Sequence, residues 1–175
     1  MCRTHVLVIL LLLITSACSR VKPQGAANKQ EVDSVSMALI QMNLELASKA
    51  DEALVDYVKE SHLPYVLDLT NSWFYCLEAT EGRKVKEGMR VEYTAEVRDL
   101  ASNALLEEVT EEVTVGKRAT LRAIDVCLSN MREGETYLIV APYYNAYGRD
   151  GNEQVRPLTN VKIKLKVNYI TLFKE

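Results

Sequence analysis

The residues able to do chemistry are few. Histidine occurs only twice in 175 residues, at His5 and His62, and cysteine four times, at Cys2, Cys18, Cys76 and Cys127. If the first segment is removed, as argued below, His62, Cys76 and Cys127 are too few soft ligands for a structural zinc site, so neither a metal nor another cofactor is expected. His62 reads as an ordinary surface residue. Cys76 falls in an apparent strand and Cys127 on the inner face of an apparent helix. An oxidising compartment would permit a disulfide between them, but two buried free thiols fit those positions better. Tyrosine is the abundant functional side chain, nine in all, with Tyr143, Tyr144 and Tyr147 close together. A phenol offers one strong hydrogen-bond donor beside an apolar ring. The cluster could be a recognition patch on a loop, and Tyr147 could simply pack and cap its turn.

Cys18 carries a different chemistry. Arg3 precedes an apolar run from Val6 to Ile14, and Thr15-Ser16-Ala17 leads into the cysteine. The run is too short to span a bilayer but suits the core of a signal peptide. Small residues before a cysteine resemble the lipobox of exported lipoproteins, in which Cys18 would be acylated after cleavage. An ordinary secretory signal with a chance cysteine is the alternative. Residues 1–17 therefore read as a lipoprotein signal peptide and 18–30, polar with Pro23 and Gly25, as a flexible tether. The formal net charge is −3, with no cluster of basic residues, which argues against nucleic acid as a partner. The lipid bilayer, reached through Cys18, is the expected one.

The elements that must position these residues follow from periodicity. Val32, Val35, Leu39, Met42 and Leu46 keep a helical spacing between Glu31 and Ala50, and Asp51 to Glu60 offers a second short helix. Residues 31–68 are thus a helical segment, packing on the domain or on a second copy in a homodimer. Trp73 to Glu78 reads as a strand. Val91, Tyr93, Ala95 and Val97 alternate with polar residues, as do Val109, Val113 and Val115; Tyr137 to Ala141 forms another strand. The final strand has Val161, Ile163, Leu165, Val167 and Tyr169 on one face and lysines on the other. One helix, Thr120 to Met131, interrupts them. An α+β domain over 69–175 is predicted, a curved antiparallel sheet wrapped around one short helix.

Within it, Lys86-Glu87-Gly88-Met89-Arg90-Val91-Glu92-Tyr93-Thr94, Val115-Gly116-Lys117, Leu121-Arg122-Ala123-Ile124, Leu128 to Glu135 and Ala146-Tyr147-Gly148 occur in an order that resembles the FKBP-type peptidyl-prolyl cis-trans isomerases. The resemblance covers roughly residues 73 to 172 and is unbroken from Val115 to Gly148. The preceding Asp51 to Val58 looks like the FKBP-like lipoproteins associated with gliding motility. Such enzymes lower the barrier of about 18–20 kcal/mol to rotation about an X-Pro bond without making or breaking bonds. They need an apolar cradle and one or two donors rather than a nucleophile.

The resemblance assigns Tyr147 as the phenol that donates to the ligand carbonyl, Tyr93 as a cradle wall and Leu121 as a backbone N–H donor. It places Thr120 and Ile163 on the walls, Ile163 where the family usually has Phe. Ile124 becomes the floor, where the strongest isomerases have Trp. Leu105 and Leu106 fall where the family has Phe-Asp, so the acid is missing there, and Glu111 near a usual Phe makes the wall wetter. The implied function is a weakened isomerase acting on proline-containing segments of exported proteins, lipid-anchored in the cell envelope, at the outer membrane facing the periplasm. Two other classes fit the same residues: a non-catalytic FKBP-like chaperone or peptide-binding module, and a structural lipoprotein of an envelope or motility assembly.

Overall fold

The computed structural model describes residues 29–171. The expected signal peptide, Cys18 and most of the expected tether lie outside the described residues. Packing divides the chain after Gln41, and the unit from Met42 onward holds the whole sheet. Helix α1 (Lys29–Ser61) is followed by β1 (Val66–Leu67), β2 (Trp73–Glu78), β3 (Arg90–Asp99), β4 (Leu105–Thr114), α2 (Arg122–Leu128), β5 (Thr136–Ala141), a single 3-10 turn (Tyr143–Asn145) and β6 (Val161–Thr171). The six strands form one antiparallel sheet in the order β1-β2-β5-β6-β3-β4. This is the predicted α+β arrangement.

The expected pair of helices is one continuous helix. Nothing between Ala50 and Asp51 breaks it, since neither Pro nor Gly is present, and Leu46, Ala50 and Leu54 continue one stripe across the supposed boundary. It ends where His62 takes a left-handed conformation (φ 56°), two residues before Pro64. Leu54 is fully buried with Leu100 and Val140, and Tyr57, Tyr65 and Trp73 pack around them. β1, also N-terminal to residue 69, pairs with β2 and extends the sheet.

The opposite sheet face carries the main core. Val91, Tyr93, Ala95 and Val97 of β3 meet Val161, Ile163, Leu165 and Val167 of β6 and the buried face of α2, Ala123, Ile124, Cys127 and Leu128. Each such aliphatic side chain contributes about 1.5–3 kcal/mol over its exposed state. That preference overrides the alternation expected at Tyr169. A register shift lets Glu92 pair with Tyr169 but Tyr93 with Val167, so Ile170 turns inward and Tyr169 is left 45% exposed. α2 is shorter than expected at both ends: Ser129 to Met131 lie beyond it, and Thr120 and Leu121 belong to the loop that approaches the site. That loop begins at Gly116, whose φ of +83° and the Glu87 side chain packed where a Cβ would stand both call for glycine.

Candidate binding cleft

α2 crosses the concave sheet face and leaves an open cleft of about 300 Å³ between its N-terminal end and β4. Ile124 and Leu121 from the helix side and Val97 and Val109 from β3 and β4 form its apolar floor. Tyr93, Thr120 and Tyr147 stand around it. Five of the residues expected at the site therefore come together, from β3, the loop before α2, α2 itself and the loop after β5.

Tyr93 is buried up to its hydroxyl because β3 directs it inward between Val91 and Ala95. Its Oη donates to Glu111 Oε2 at 3.1 Å and lies 2.8 Å from Thr120 Oγ1. Burial pushes this phenol up to about 12, the Thr120 bond opposing and the Glu111 carboxylate adding to the effect. Tyr147 donates to Glu107 Oε2 at 2.6 Å, a short charge-assisted bond. Its phenol is raised in the same direction, by burial first and by Glu107 second. Both tyrosines therefore hold their protons at neutral pH and can act as donors. Leu121 sits just before α2 with extended backbone, and its N–H meets no acceptor among the described residues. A helix start leaves such N–H groups open, and this one borders the cleft.

The loop that carries Tyr147 is held from several sides. Tyr143 N–H donates to Asn160 Oδ1 at 3.0 Å, Asn145 Nδ2 donates to Ser72 Oγ at 3.0 Å, and the carbonyl of Tyr143 accepts from Ala146 and Gly148. Tyr144 donates to Asp51 of α1. Tyr143 is 5% exposed and packs edge-on against Tyr144. The three tyrosines are thus no common surface patch: two anchor the loop, and only Tyr147 faces the cleft.

Three expected residues lie elsewhere. Ile163 is buried in the core beneath the sheet face and does not line the cleft. Leu105 is 51% exposed, and Leu106 packs against the core from a bulge where Val97 pairs with Glu107 but Arg98 with Leu105. The carboxylates that border the cleft come from other positions of β4, Glu107, one residue beyond Leu106, and Glu111. The signal was in the two-residue period. Glu107 and Glu111 share a face with Val109 and Val113, the face that pairs across to Val97 and Tyr93.

A larger hollow of about 630 Å³ lies beside α1, bordered by Asp56, Tyr57, Asp99, Arg156 and Leu158. Its polar groups serve the scaffold. Asp99 Oδ1 accepts from the N–H groups of Ala101 and Ser102, and its other oxygen meets Arg156 at 3.5 Å. Cys76 and Cys127 are both free thiols. Burial raises Cys127 well above its ordinary value, which makes it a poor nucleophile.

No family model and no curated protein sequence matches the chain. Solved structures do match. A peptidyl-prolyl cis-trans isomerase from Pseudomonas syringae pv. tomato is 18% identical, with 72% of this chain and 96% of that one covered at a TM-score of 0.60. FkpA from Escherichia coli is 15% identical, with coverage of 81% and 68% and a TM-score of 0.61. The N-terminal domain of FKBP42 from Arabidopsis thaliana is 20% identical, with coverage of 61% and 91% and a TM-score of 0.55. With its sheet order, its single crossing helix and these likenesses, the chain has the FKBP-like α+β fold.

Proposed function

We propose that the protein is a peptidyl-prolyl cis-trans isomerase of attenuated activity that acts on exported proteins. One observation carries this reading: two donors, the Leu121 N–H and the Tyr147 hydroxyl, border an apolar floor of a size suited to a proline ring. Such a site can hold a twisted amide by hydrogen bonding while excluding water from it. Tyr147→Phe keeps the ring and removes the donor. It is expected to lower kcat/KM on a Leu-Pro peptide by about two- to twelvefold, the worth of about 0.5–1.5 kcal/mol. An unchanged rate in the folded variant would remove Tyr147 from the site.

Ile124 on the floor favours a second reading, a peptide-binding or chaperone module with little catalysis, because the strongest isomerases place Trp there. In either case we place the protein in the cell envelope, anchored through acylated Cys18 at the outer membrane and facing the periplasm, similar to the motility-associated lipoproteins. No described helix is long and apolar enough to cross a membrane. Fatty-acid labelling that survives Cys18→Ala would refute the anchor. Val35, Met37, Leu39 and Ile40 of α1 are 50–67% exposed, which supports a homodimer or an assembly contact through the helical segment. Sedimentation as a monomer at micromolar concentration would exclude the homodimer.

A further inference from the structure

We infer that the cleft selects prolines flanked by a basic residue, Lys or Arg, through Glu107 and Glu111; this rests on the isomerase reading above. The argument begins with the Tyr147 hydroxyl. In the structure its proton is given to Glu107. A substrate carbonyl can take that proton only by displacing the carboxylate, which then stands half-buried beside the cleft without a donor. An anion in that position calls for a new partner, and a substrate ammonium or guanidinium supplies one.

The second carboxylate repeats the pattern. Glu111 lies four residues along β4, about 13 Å away at roughly 3.3 Å per residue, with Val109 between them on the same face. One oxygen of Glu111 is engaged by Tyr93. Among the described residues no donor reaches the other oxygen of either glutamate. The ion pairs Arg90–Glu112, Arg98–Glu96 and Arg156–Asp99 involve neither of them. The negative charge along this wall is therefore unbalanced from within the domain, and a chain lying across the floor would carry its flanking side chains past it. β4 is also an edge strand, and edge strands use charged residues to discourage pairing with other chains. That purpose accounts for the outward Glu108 and Glu112. Glu107 and Glu111, by contrast, face the cleft and bond its two phenols.

The test uses the native protein and acetylated peptides identical except for Lys, Leu or Glu next to proline, placed in one series before it and in another after it. Catalysed exchange between the cis and trans forms is read by NMR. In at least one series kcat/KM is expected to be about tenfold higher for Lys than for Glu at low salt, with the ratio shrinking toward one in 1 M salt. In the Glu107→Gln, Glu111→Gln double variant, which keeps an acceptor for each phenol, the ratio falls to within about twofold. If the double variant does not fold, each single variant must lower the ratio. Turnover of the Leu peptide with Lys and Glu equal in both series overturns the selectivity and leaves the isomerase reading standing, with the glutamates then serving the strand edge. A preference that persists without the two carboxylates also overturns it. Absence of turnover and of binding for all the peptides overturns both readings.

Discussion

Leu54→Ala is expected to lower the stability of the domain by about 2–5 kcal/mol, the usual cost of emptying a fully buried leucine site. Leu54 is 0% exposed and fills the sheet face opposite α2, where Leu100, Val140 and the ring of Trp73 converge on it. The loss has two parts, the removed apolar contact and the cavity left behind, and the second depends on how far α1 can settle toward the sheet. Trp73 is the only tryptophan, so its fluorescence reports this cluster directly. Urea unfolding followed both by that signal and by far-ultraviolet circular dichroism would separate local undocking of α1 from loss of the whole fold. A change below about 0.5 kcal/mol, the level of an ordinary surface substitution, would show that α1 does not dock on the sheet through Leu54.

Ile124→Trp is expected to raise kcat/KM on a Leu-Pro peptide by about tenfold. Ile124 is 2% exposed yet forms the cleft floor, so a larger ring there extends into a space of about 300 Å³ rather than into closed core. An indole in its place adds about 50–100 Å² of apolar contact, worth about 1–2.5 kcal/mol at about 25 cal/mol per Å². Only the share felt by the twisted amide changes the rate, and each 1.36 kcal/mol is a factor of ten. Overfilling costs about 1–3 kcal/mol of stability in a well-packed site, so the variant should also unfold earlier in urea. A folded Trp variant with no gain would favour the binding-module reading, in which the floor holds proline without assisting its rotation.

The parts of this fold legible in the sequence are those where one physical rule acts alone. β3 and most of β6 each have one wet and one buried face, and their strict alternation gives both the strands and their inward residues. At Tyr169 that rule failed because a register shift, which no local pattern announces, exchanged the two faces. The residue pattern offers a second short helix from Asp51 to Glu60, whereas Asp51 is a position within one continuous helix, its carboxylate accepting from Tyr144. Such a long-range bond has no local signature. Tyr93, Thr120, Leu121, Ile124 and Tyr147 border one cleft, and motif order alone fixes their place in the chain. Leu105 and Leu106 do not border it, because the bulge beside Val97 shifts the register of β4 by one residue. That single residue decides whether a leucine or the Glu107 carboxylate faces Tyr147.

The most direct test of the central claim is an NMR titration of the native protein with a Leu-Pro peptide, in which backbone amide shifts and cis–trans exchange are recorded on the same samples. The account predicts faster exchange than in peptide alone, with the largest amide shifts at Leu121, Ile124 and Tyr147 and along β4 at Glu107 to Glu111. Shifts confined to the hollow lined by Tyr57, Asp99 and Leu158, or exchange no faster than in free peptide at saturating protein, would contradict it.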